Sequence, residues 1–98
     1  RDSFLPGRLL LGFARAAMGL NLFARAVRLL SCHNAVQVAF GIPRPGVRQK
    51  LFESIHSRCS AVLSKDEFER HWEEGAKMPI KQAVDYALNR NQDGPGTP

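Results

Sequence analysis

The stretch Asn21–Phe40 constrains the fold most, because it is the longest uninterrupted helical pattern in the chain. Asn21 is suited to cap the first turn with its side-chain oxygen, and Gly41 can take the left-handed conformation that ends a helix. Between these signals apolar residues recur at three- and four-residue steps, whereas polar residues such as Arg25 and Gln37 fall largely on another side. The pattern predicts one long helix with one buried face, around which the other elements pack.

A second helical segment precedes it. The segment Leu9–Met18 is apolar almost all round, which is typical of a helix buried on more than one side. Pro6 and Gly7 predict that regular structure begins only after them. Gly19 ends this helix so close to Asn21 that the first two helices must run antiparallel.

A linker, GIPRPG at Gly41–Gly46, separates these two helices from the rest, because two prolines and two glycines preclude a helix. The third helix is predicted to begin near Pro45 or Gly46. Its apolar residues recur at four-residue steps: Val47, Leu51, Ile55, Cys59 and Val62.

Ser64 and Glu67 carry the signature of a capping box, which opens a fourth helix that Gly75 is expected to end. A last helix runs to Leu88, with Pro79 in its first turn. The sequence therefore predicts an all-α fold of about five helices and no strands, arranged as helical hairpins. We expect residues 1–90 to form one domain and residues 91–98, which contain no apolar side chain, to be a disordered tail. Because the chain begins with Arg1 and not with methionine, we expect a fragment of a longer protein.

The composition is that of a globular protein, with 44% hydrophobic and 23% charged residues. The net charge is +5, and seven of the nine acidic residues lie between Glu53 and Asp85. Arginines interrupt every apolar run, so no segment approaches the roughly 18 residues needed to cross a bilayer. Cys32 and Cys59 have no metal-ligand spacing around them and are predicted to be buried thiols in a reducing compartment. We therefore expect a cytoplasmic protein without a membrane segment.

The sequence contains no residue pattern that is typical of a catalytic or metal-binding site. His33, His56 and His71 lie on three different predicted helices and share no ligand spacing with the cysteines. The glutamates of the fourth helix fit a solvated face beside a capping box. GIPRPG lacks the lysine and the preceding strand of a phosphate-binding loop. We expect no enzyme activity, no cofactor and no metal.

Three stretches together carry a family resemblance: LGFARAAMGLNLFARAVRLLSCHNAV from Leu11, the linker GIPRPG, and the ending FERHWEEGAKMPIKQAVDYAL. This arrangement resembles the C-terminal tetratricopeptide-like region of large bacterial signalling ATPases, including LuxR-type transcriptional regulators and adenylate-cyclase-linked predicted ATPases. The ending is the specific part, and it matches at Phe68, Trp72, Gly75, Ala83, Val84, Ala87 and Leu88. The sequence departs from the family pattern at His33, Asn34 and Pro79.

The resemblance implies helical hairpins of the tetratricopeptide-like α-solenoid type and a non-catalytic role in protein interaction, signal transduction or transcription regulation. The structural anchors would be Phe68, Trp72, Gly75, Val84 and Leu88, with Trp72 filling a groove between the central and last helices. The expected partners are the preceding helical repeats of the parent chain.

Two further hypotheses remain open. A solenoid fragment cut from its array would expose its apolar first helix. This predicts a homodimer formed by packing or exchanging that helix, with Leu10, Phe13 and Ala17 at the contact. Alternatively, a small basic helical domain could bind nucleic acid through its arginines, which we consider unlikely because they are spread over the helices. The arginines concerned are Arg8, Arg15, Arg25, Arg28, Arg44 and Arg48.

Overall fold

A computed structural model describes residues 4–41 and 46–88, with the side chains of residues 4–8, 80, 84, 87 and 88 outside the description. Within these residues the protein is all-helical and has five helices. They are α1 (Phe4–Gly19), α2 (Phe23–Phe40), α3 (Gly46–Val62), α4 (Lys65–Ala76) and α5 (Ile80–Leu88). The predicted all-α class and number of helices are confirmed.

Helix α2 is the centre of the fold, since it packs against each of the other four helices. Its burial is greater than the sequence pattern predicts. Besides Leu29 and Leu30, the polar residues Arg25, His33 and Gln37 are also buried. The prediction of a single buried face is therefore wrong for α2, because neighbouring helices lie on most of its sides.

Asn21 lies in the turn between α1 and α2 but does not cap α2 as predicted. Asn21 has a positive φ of 64°, and its backbone N–H donates to the Met18 carbonyl at 3.0 Å. The next N–H, that of Leu22, donates to the Ala17 carbonyl at 2.8 Å. These are the two hydrogen bonds of a Schellman motif, so Asn21 ends α1, while Leu22 precedes α2 without a side-chain cap. Asparagine suits both positions, because its short polar side chain also tolerates the left-handed conformation.

Helix α1 begins at Phe4, earlier than the predicted Leu9. Pro6 lies within its first turn, where the absence of an N–H breaks no intrahelical hydrogen bond. At the other helix ends the predictions fare better. Gly41 has a φ of 63° and caps α2, and α3 begins at Gly46 as expected.

Helix α4 opens with the predicted capping box. The Ser64 hydroxyl accepts from the Glu67 N–H at 3.1 Å, and the Glu67 carboxylate accepts from the Ser64 N–H at 3.1 Å. Gly75 does not end α4 but lies inside it, against α2. A Cβ built on Gly75 would lie 2.8 Å from the carbonyl carbon of Arg28 and closer still to its oxygen. The glycine therefore serves close approach of two helix backbones and not helix termination.

Helix α5 returns to the start of the chain and packs against α1 and α2. Leu10 and Ala17 of α1, which also packs against α2 and α3, are buried inside the monomer, and Phe13 is half-buried against the same core. An exposed face at these three residues is therefore wrong for the monomer, because the chain covers it. A homodimer formed by exchange of the first helix stays a prediction. In the part of the chain that the structure describes, no helix combines the length and apolar character needed to cross a membrane.

Both cysteines are buried and unpaired with each other, as predicted. The Cys32 thiol donates to the Met78 carbonyl at 3.4 Å. Burial raises the pKa of Cys32, and it raises the pKa of Cys59 to about 11.

Candidate functional site

An open groove on the outer side of α3 and α4 brings together aromatic side chains from both helices. The groove has a volume of about 430 Å³ and is lined by His56 of α3 and by Phe68, Glu69, Trp72 and Glu73 of α4. We call it the aromatic groove. It is open to solvent along the surface, so it can receive a side chain or a helix edge from another molecule.

The ring geometry in the aromatic groove is regular. Phe68 and Trp72, one helical turn apart, stack with an interplanar angle of 15° and centroids 5.8 Å apart. His56 meets both rings edge-on, with its centroid 4.9 Å from that of Phe68 and 5.6 Å from that of Trp72. Phe52 meets Trp72 edge-on from the inner side of α3, at 6.4 Å. These offset and edge-to-face pairs are the favourable aromatic arrangements, and they hold the wall of the groove in one conformation.

Trp72 therefore does not occupy its predicted place between the central and last helices. It is half-buried and faces α3, where it contacts Phe52 and His56. Its backbone, however, is fixed to α2, because the Ser31 hydroxyl donates to the Trp72 carbonyl at 2.5 Å. Gly75 lies on the same side of α4 and is pressed against α2, while Phe68 and Trp72 pack against the core and reach His56 of α3.

Helix α4 is rich in acidic residues as well as in aromatic ones. The helix contains five acidic and only two basic residues, in a chain whose net charge is +5. Glu67 is used by the capping box, and hydrogen bonds from Ser64 lower the pKa of Glu67. Glu69 and Glu73 are exposed and line the aromatic groove, and they form no ion pair with any residue that the structure describes.

Glu74 belongs to a different cluster, which joins α2, α4 and α5. The Arg28 guanidinium donates from Nε to Glu74 at 2.9 Å and from Nη1 to the Tyr86 hydroxyl at 2.8 Å. His71 Nδ1 lies 3.1 Å from the same Glu74 oxygen, and because a carboxylate only accepts, Nδ1 carries the proton. The guanidinium of Arg25 lies over the Tyr86 ring, 5.0 Å from its centroid. We call these five residues the arginine clamp.

The clamp sets the protonation of its members. Hydrogen bonds from Arg28 and then from His71 lower the pKa of Glu74. Burial opposes the charge on Arg28, but its hydrogen bonds to Glu74 and Tyr86 outweigh this and raise the pKa of Arg28. Both groups are therefore charged at neutral pH, and the clamp fastens α5 to the core.

The arginines of the nucleic-acid hypothesis are not brought together. Arg25 is 3% exposed and Arg28 is engaged in the clamp, so neither is free to contact a phosphate. Arg15 is exposed on α1 and Arg48 is half-buried on α3. The side chain of Arg8 and the whole of Arg44 lie outside the described residues. The described arginines thus form no single basic face.

The anchors implied by the resemblance are placed in part. Phe68, Trp72 and Gly75 lie on one side of α4 and together position it between α2 and α3. Val84 and Leu88 belong to α5, and their side chains lie outside the described residues. The three histidines are separate, with His33 buried in α2, His56 in the aromatic groove and His71 in the clamp. Within residues 4–41 and 46–88, no three side chains are grouped so that they could hold a metal ion.

Sequence reasoning did not predict the aromatic groove. It interpreted Trp72 as a core anchor, and Trp72 does pack against the core, but it also lines the groove. It interpreted the glutamates of α4 as an ordinary solvated face. The signal was present in two pairs at four-residue spacing, Phe52 with His56 and Phe68 with Trp72, which predict an aromatic stripe on each of two helices in succession.

Comparison with known proteins adds no further assignment: no family model, curated protein or solved structure matches this chain.

Proposed function

We propose that this chain is a non-catalytic protein-interaction module and forms the C-terminal part of a tetratricopeptide-like region in a bacterial signalling or transcriptional regulator. The single observation that carries the interaction role is the aromatic groove. Trp72 and Phe68 stay partly exposed there, although the chain has a core in which Ile55 and Cys59 are completely buried. Aromatic residues that are rigidly held and incompletely covered are typical of binding surfaces.

The repeat-like architecture is supported by the packing of helix pairs. α1 and α2 are joined by a short turn and form a hairpin, and α4 packs against α2 alongside it. Stacked helix pairs are the unit of α-solenoids. The regulator context rests on the resemblance of the sequence around Phe68, Trp72 and Gly75. Its expected partners include the preceding repeats of the parent chain, and its expected location is the cytoplasm.

A non-catalytic role is supported by what surrounds the candidate nucleophiles. Both thiols are buried, and burial raises the pKa of each, which disfavours the reactive thiolate. Glu67 is engaged in the helix cap and Glu74 in the arginine clamp. Glu69 and Glu73 line an open groove, from which solvent is not excluded.

Selection of binding peptides tests the interaction role. A displayed library of random peptides is selected against the immobilised, folded chain, and enriched peptides are synthesised and titrated into the free chain. Trp72 is the only tryptophan, so its fluorescence reports directly on the groove when tryptophan-free peptides are used.

We expect enriched peptides to change the Trp72 emission saturably. Failure to enrich any peptide, or enrichment only of peptides that leave the emission unchanged, would contradict an interaction role for this groove.

A further inference from the structure

We infer that the aromatic groove binds a basic peptide segment, with an arginine or lysine side chain lying on the Phe68 and Trp72 rings between the carboxylates of Glu69 and Glu73. This inference rests on the proposed interaction role and adds the chemistry of the partner. It follows from charge complementarity between that surface and a cation.

The first step concerns the carboxylates. Glu67 and Glu74 have partners within the fold, whereas Glu69 and Glu73 line the groove and form no ion pair with any described residue. They lie one turn apart on α4, so their like charges repel each other when no cation lies nearby. A bound cation removes this repulsion.

The second step concerns the rings. The face of an aromatic ring carries a negative quadrupole potential, which adds to that of a neighbouring carboxylate. Phe68 and Trp72 are stacked, at 15°, and the stacked pair forms the apolar platform of the groove. A planar guanidinium can stack on such a platform while its N–H groups donate to a carboxylate, which makes arginine the best fit.

The third step concerns local against total charge. The chain as a whole is basic, so only a local acidic surface can attract a basic partner. α4 supplies it, since five of its residues are acidic and two are basic. The same chain already holds a cation in this way elsewhere, because Arg25 lies over the Tyr86 ring and Arg28 pairs with Glu74.

The experiment uses two synthetic helical peptides that differ only in charge. One is alanine-rich and carries arginines one turn apart, to match the spacing of Glu69 and Glu73. The other has citrulline, the neutral isostere, at the same positions. Both are titrated into the full chain at low salt while Trp72 emission is recorded, and the arginine peptide is titrated again at high salt.

Two double variants complete the design. Glu69→Gln with Glu73→Gln removes the groove carboxylates and keeps their size. Glu53→Gln with Asp85→Asn makes the same change in net charge outside the groove, because Glu53 lies on α3, Asp85 lies on α5, and neither lines the groove. Circular dichroism verifies that both variants are folded.

We expect the arginine peptide to bind about tenfold more tightly than the citrulline peptide. High salt and the Glu69→Gln, Glu73→Gln variant should each remove most of this advantage, whereas the control variant keeps it. Equal binding of both peptides would overturn the cation site and leave a general interaction groove intact. Failure of both peptides would overturn the cation site, and the peptide selection described above would then decide the interaction role separately. Self-association that is abolished by the groove variant would identify a second copy as the occupant and would overturn a separate basic partner.

Discussion

The structural role of a single residue in this protein depends on its neighbours in space, and Gly75 is the clearest case. Its sequence position near the end of a helix suggested termination, yet its missing Cβ is what allows α4 to approach the Arg28 backbone. An added methyl group would meet rigid backbone and not the movable end of a side chain. The sign of the change in stability on substitution of Gly75 therefore follows from the structure.

Gly75→Ala should lower the free energy of unfolding by about 1–3 kcal/mol, the usual cost of overpacking. Gly12→Ala is the matched control, because a Cβ at Gly12 would meet nothing within 4 Å and α1 would lose a flexible residue. That control should raise the stability by about 0.5–1 kcal/mol. Urea unfolding of both variants measures the difference, and equal effects of the two substitutions would show that α4 does not approach α2 so closely.

The thiols give a second prediction at this scale. Cys59 is completely buried and its pKa is raised to about 11, while burial also raises the pKa of Cys32. At pH 8 we expect neither thiol to react with an aromatic disulfide reagent at the rate of a free thiol in the folded chain, and both to react at once in denaturant. Rapid reaction of one thiol under native conditions would show that its helix opens locally.

At the scale of elements, the arginine clamp is what joins the last helix to the core. α5 is short, and isolated helices of such length are unstable in water. Tyr86 supplies its attachment, through the hydrogen bond from Arg28 and the contact with the Arg25 guanidinium. Part of the stability of α5 therefore depends on the charge state of Glu74, which orients Arg28.

This dependence predicts a pH effect. The pKa of Glu74 is lowered in the folded chain by hydrogen bonds from Arg28 and His71, so folding favours the deprotonated form. The resulting stabilisation is complete above the ordinary glutamate value of 4.5 and is lost as the pH falls through the lower folded-state pKa. Because Glu74 is about half exposed, solvent screening keeps the effect small.

Glu74→Gln should accordingly reduce the slope of stability against pH in the acid range, measured by urea unfolding at a series of pH values below 5. Glu53→Gln serves as the control, since it removes a carboxylate outside the clamp and leaves the Arg28–Glu74 pair in place. An unchanged acid slope in Glu74→Gln would show that the pair contributes nothing to stability.

At the scale of the whole molecule, the sequence was informative where structure is local. The capping box of Ser64 and the left-handed Gly41 depend on a few neighbouring residues, and both are confirmed. The burial of Arg25 and Gln37 could not be predicted in this way, because it depends on how many helices surround α2. The aromatic groove was missed for the same reason, since the partner of Trp72 is decided by the orientation of α4 relative to α3.

The position of α1 in the whole fold yields the last prediction. Its apolar pattern suggested a face for a second copy, but α1 packs against α2, α3 and α5 within the chain. Leu10 is completely buried, while the adjacent Leu9 is 44% exposed. Leucine-to-alanine substitutions at these two neighbouring positions therefore compare the loss of a buried side chain with the loss of an exposed one.

Leu10→Ala should lower the free energy of unfolding by about 2–5 kcal/mol, the range for a buried leucine, and should leave the molar mass of the folded chain unchanged. Leu9→Ala should change stability by no more than about 0.5 kcal/mol, as surface substitutions usually do. Urea unfolding and light scattering over a range of concentrations measure both quantities. A wild-type mass that rises with concentration, together with a Leu10→Ala variant that is monomeric and as stable as the wild type, would place Leu10 at an interface between copies and contradict the packing of α5 on α1.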